Sequence, residues 1–174
     1  MRLALNIWLV ATMVCCNVAL CDITPGPEPR IAGNLGLVIV ASDTPEYIKE
    51  WLVTPSQHAV TIKRLRAAKT NQLIITSFLV TGMSPNFKGD YKFSVDFYLL
   101  DPNEKAVFGQ RGYAKGEGKH QLKPTFVMAN PALDIVLESS DPTGIYTIVA
   151  QVTDIVTGKK ANASYKINYI NDTL

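Results

Sequence analysis

Residues 141–169, DPTGIYTIVAQVTDIVTGKKANASYKINY, constrain the fold more than any other stretch. Asp141-Pro142-Thr143-Gly144 is turn chemistry, because proline pre-sets φ and glycine accepts φ > 0. From there Tyr146, Ile148, Ala150 and Val152 alternate with Thr147, Val149, Gln151 and Thr153. This period of two, with one face the more apolar, predicts a strand. Val156-Thr157-Gly158-Lys159 predicts a tight hairpin. Ala161, Ala163, Tyr165, Ile167 and Tyr169 then alternate with polar residues along a second strand. Two strands cannot bury such a face alone, so the chain needs a second sheet, expected from 72–81 and 91–108.

The rest of the sequence supports an all-β domain. Ten prolines and eleven glycines separate short apolar runs. Residues 35–41, 60–65, 72–81, 91–100, 126–128 and 133–137 read as further strands, with a return strand starting at 106–108 after the Asp101-Pro102-Asn103-Glu104 turn. The tally is about seven to nine strands. The interruption at 42–52 predicts one short helix: Thr44 as cap, Pro45 at the first helical position, Glu46 in the first turn, and Tyr47, Ile48, Trp51 and Leu52 on one stripe.

Residues 1–21 predict a cleavable export signal. Arg2 precedes a nearly unbroken apolar run that ends Ala19-Leu20-Cys21. Residues 22–33 hold three prolines and read as a linker, leaving 34–174 as one domain. The expected location is periplasmic or secreted, with no transmembrane segment after cleavage; lipidation at Cys21 is the lesser alternative. All three cysteines, Cys15, Cys16 and Cys21, fall in the leader. The mature domain therefore relies on its core rather than on disulfides. Its net charge of about +1 once Arg2 is removed gives no electrostatic case for nucleic acid.

Gly144-Ile145-Tyr146-Thr147-Ile148 resembles the start of strand F in immunoglobulin-like domains, where a tyrosine forms a corner with the upstream backbone. The order of a short helix with tryptophan, a central β run, a DP-turn hairpin, a Gly-rich segment and a final DPxG hairpin is similar to small secreted bacterial proteins of unknown activity. The resemblance implies an immunoglobulin-like or macroglobulin-like antiparallel β-sandwich. It implies no catalytic residue.

The search for chemistry is short. No Gly-x-Ser-x-Gly elbow occurs, and the two histidines, His58 and His120, stand in no acid–base context. No zinc spacing occurs, and Asp134, Glu138 and Asp141 lack the pattern of a calcium loop. No catalytic residue, cofactor or metal is expected. The Gly-rich region 109–123 is expected to be a loop, with Arg111, Tyr113, Lys115, Lys119 and His120 as an anion-binding set. Tyr47 and Trp51 form a candidate patch for a protein partner. The expected function is a non-enzymatic binding or accessory module for a protein or an anionic surface ligand. The alternatives are a structural or chaperone-like subunit that pairs with a partner's strand, and an enzyme with an unrecognised site.

Overall fold

A computed structural model describes residues 34–55, 58, 60–120 and 125–171. The expected signal 1–21 and linker 22–33 lie outside the described residues. Two β-sheets face each other across one hydrophobic core, an all-β sandwich.

The first sheet is organised on β3 (Leu73–Thr81), the apolar run read as a central strand. β1 (Gly36–Ser42) pairs antiparallel along one edge of it. The other edge is shared end to end by β6 (Val127–Met128) and β7 (Leu133–Val136). The connection between these two short strands carries the cis Asn130–Pro131 bond.

The second sheet has the order β2-β9-β8-β4-β5 and curls into a half-barrel. Its centre is the hairpin of β8 (Gly144–Asp154) and β9 (Lys160–Ile170), paired over ten positions. β4 (Asp90–Leu100) lies along β8, and β5 (Ala106–Lys119) lies along β4. β2 (Ala67–Lys69) runs parallel to the end of β9. The strands expected at 91–108 thus extend the hairpin's own sheet; the opposing layer comes from β1, β3, β6 and β7 instead.

The core follows the period of two. Tyr146, Ile148, Ala150 and Val152 from β8 meet Phe93, Val95 and Phe97 from β4, and all face Ile74, Phe78 and Val80 of β3. Two seams close the sandwich. On one side Leu65 N–H donates to Ala41 O and Asn168 N–H to Arg66 O. On the other, Lys115 of β5 and Asn130 exchange backbone hydrogen bonds.

Three expectations need correction. The described residues of 60–65 are irregular, and the strand falls at β2. There Arg64 and Arg66 lie over the Tyr165 ring, whose hydroxyl donates to Leu65 O at 2.7 Å. Both guanidinium groups are thus held against the ring of a β9 residue. The helix, α1 (Glu46–Val53), is present, but Pro45 occupies the cap position and no side chain caps it. The expected tyrosine corner falls to Tyr169 rather than Tyr146: Tyr169 donates to Glu138 O at 2.7 Å, and Tyr146 packs edge-on against its ring.

Candidate functional site

The Gly-rich region expected as a loop is mostly β5, a fourteen-residue edge strand. Residues 121–124 lie outside the described residues. Glycine is needed here for space. Gly109, Gly116 and Gly118 stand directly opposite Tyr98, Phe93 and Tyr91; a β-carbon at Gly109 or Gly116 would collide with the facing ring, and one at Gly118 would crowd the Tyr91 hydroxyl. The strand yields its side chains so that the aromatics of β4 can lie across it.

The regular ladder breaks once near the middle of β5. Val95 pairs with Ala114 and Phe97 with Gln110, so Arg111, Gly112 and Tyr113 stand against Asp96 alone. Gly112 turns the chain at φ +60°, and its N–H donates to Asp96 Oδ1 at 2.6 Å. Such bulges re-aim side chains. Tyr113 swings inward, lies edge-on to Phe97 at 4.9 Å and donates to Ala132 O at 2.8 Å. Arg111 swings to the outer face of the sheet beside Tyr98 and Asp96. Hydrogen bonding to the Tyr98 hydroxyl, with attraction from Tyr98 and Asp96, pushes its already high pKa further up.

Arg111 there borders a shallow depression of about 270 Å³. Val149 and Ala150 of β8 floor it; Asp96, Tyr98, Gln151 and Lys160 complete its wall. Gln151 is oriented by donating from Nε2 to Asn162 Oδ1 at 2.9 Å. Four strands therefore converge on the site, and among the described residues the bulge supplies its only guanidinium.

The expected anion-binding set does not assemble as a unit. Arg111 joins the depression. Tyr113 is spent on packing. Lys119 pairs with Asp90 at 2.6 Å, directly across the ladder, and donates to Lys88 O. Lys115 and His120 are exposed and do not line the depression; only their backbones are tied, to Asn130 and to Gly89 O. Lys92 and Glu117 form a further pair at 3.0 Å, so this end of β5 is a ladder of opposed charges.

The expected partner patch is corrected as well. Tyr47 is 4% exposed, and its hydroxyl lies 2.8 Å from Ser77 Oγ on the outer face of β3. Burial raises its pKa, with the Ser77 hydrogen bond opposing. Tyr47 is the peg that seats α1; Trp51 is half-buried beside it, and the exposed apolar residues of the helix are Leu52 and Val53. Asp141 accepts the Glu138 N–H at 2.8 Å to close a turn, and no cluster of metal-ligating side chains occurs among the described residues. No helix among them is long and apolar enough to cross a membrane.

Asp96, Tyr98, Gln151 and Lys160 carried no sequence signal of their own. The only clue was Gly112 followed by a tyrosine, inside a region already rich in glycine.

No protein-family model and no curated protein matches the chain. Among solved structures it is similar to a family 123 glycoside hydrolase from Clostridium perfringens, at 10% identity and a TM-score of 0.46. The match covers 79% of this chain and 28% of that enzyme, a likeness that assigns no activity.

Proposed function

We propose that this protein is an exported, non-enzymatic binding module of immunoglobulin-like topology, and that the depression beside Arg111 is its recognition site. One observation carries the site: a bulge built on Gly112 stands Arg111 on the sheet face against Tyr98 and Asp96. The sheet orders favour the topology, with β3 central in one layer and β9-β8-β4 central in the other. The leader-like residues 1–21 favour export. A binding role is favoured over catalysis because Asp96 is tied to Gly112 N–H and neither histidine lines the depression.

Strand addition to β5 is the weaker reading. Val107 bulges out between Ala106 and Phe108, the wider bulge follows at Arg111, and the longest regular run, Ala114–Lys119, is already bridged at Lys115 by Asn130. Edges interrupted in this way resist pairing with another chain.

A thermal-shift screen of small anions and matched neutral compounds tests the site. A true ligand at about a hundred times its Kd stabilises the fold by about 2.7 kcal/mol. The shift should be confined to anions and should disappear in Arg111→Ala. Ligands that stabilise both proteins equally would place recognition elsewhere.

A further inference from the structure

The composition of the depression narrows what it can hold. Arg111 and Lys160 bring two positive charges, and Asp96 brings one negative. Among the described residues, no carboxylate lies within ion-pair distance of Lys160. The surplus of one positive charge matches a single carboxylate better than a phosphate monoester, which carries about −1.5 to −2 at neutral pH. A carboxylate also suits the planar fork of an arginine.

A bare anion would be a poor occupant, because Asp96 can only accept hydrogen bonds when ionised and would repel it. The occupant therefore needs hydroxyl donors beside its carboxylate. Gln151, with its Nε2 donating to Asn162, is oriented to meet such hydroxyls. The rest of the lining is Tyr98, Val149 and Ala150, an aromatic beside aliphatic residues, which suits the C–H face of a ring. The volume of about 270 Å³ lies just under the usual range for drug-sized ligands and suits one ring.

Resting on the reading of this depression as the recognition site, we infer that its ligand is a sugar acid: one pyranose-sized polyol bearing a carboxylate, free or at the end of a glycan. The carboxylate engages Arg111 and Lys160, the hydroxyls engage Asp96 and Gln151, and the ring lies over Tyr98.

Calorimetric titration of the full chain with glucuronate, glucose, acetate and inorganic phosphate tests this. Glucuronate should bind at least about tenfold tighter than the other three, each of which lacks part of the required chemistry. Lys160→Ala, at an exposed position, should weaken glucuronate about tenfold while leaving the melting temperature unchanged. A disaccharide ending in glucuronate that binds tighter than the free acid would assign the ligand to a glycan terminus; weaker binding would assign it to the free acid. Acetate or phosphate binding through Arg111 as tightly as glucuronate would overturn the sugar-acid inference and leave the anion site standing. No binding of any anion would overturn both. Glucose binding as tightly as glucuronate would overturn the role given to the two cations.

Discussion

Gly116 lies directly across the ladder from Phe93, and the Phe93 ring occupies the space where a side chain of residue 116 would begin. Phe93 is 1% exposed and belongs to the core that joins the two sheets. The glycine is thus part of how the core is packed. Its backbone is not in the left-handed region, so the constraint is one of space alone.

Gly116→Ala should therefore destabilise the fold by about 1–3 kcal/mol, the usual cost of overpacking. Denaturant unfolding measures it. A midpoint unchanged from wild type would mean that the Phe93 ring does not lie over the strand.

Asp154 ties the β8–β9 hairpin to the loop that follows β3. It is fully buried and accepts the N–H groups of Ser84 and Val156, both at 2.9 Å. Burial pushes its pKa up, but these bonds, with Thr157, outweigh that and hold it below the ordinary carboxylate value. Because the folded pKa is depressed, the stability it contributes is complete above the unfolded value of about 3.9 and is lost as pH falls through the folded value. Asp154→Asn should lower stability at pH 7 by about 2 kcal/mol and flatten the loss in acid. Parallel pH profiles for the two proteins would remove Asp154 from the acid transition.

Tyr47 seats α1 through its hydroxyl contact with Ser77. Tyr47→Phe should cost about 1 kcal/mol and Tyr47→Ala several times more, since the ring itself is buried. Near-equal stability of Tyr47→Ala and wild type would return the residue to the surface as a partner contact.

Thr76 Oγ1 is buried on β3 with no hydrogen-bond partner among the described residues. Its strand neighbours are Ala41 and Leu133. Thr76→Val removes an unsatisfied polar atom and keeps the shape, so it should stabilise by about 1 kcal/mol. Destabilisation of that size would show that the hydroxyl is satisfied.

What was legible in the sequence follows from how side chains report backbone geometry. The β8–β9 hairpin was clear because Tyr146 to Val152 and Ala161 to Tyr169 alternate, which tertiary packing then used directly. Residues 109–119 of β5 look like a loop in the sequence because Gly109, Gly112, Gly116 and Gly118 have no side chains to carry a period, and the aromatics that explain all but Gly112 lie on another strand. The burial of Tyr47 was hidden because its partner, Ser77, is a polar residue in the middle of an apolar run. Of the depression only Arg111 was legible. Asp96, Tyr98, Gln151 and Lys160 look like ordinary solvent-facing strand residues until β4, β5, β8 and β9 are laid side by side.

Amide chemical-shift mapping on the full chain as glucuronate is added tests most directly whether the Gly112 bulge builds a recognition site. The amides of Gly112, Gln151 and Lys160 should shift together and saturate, while those of Tyr47, Lys115, Lys119 and His120 stay in place. Saturable shifts concentrated on Lys115, Lys119 and His120 or on α1, or none at all, would contradict it.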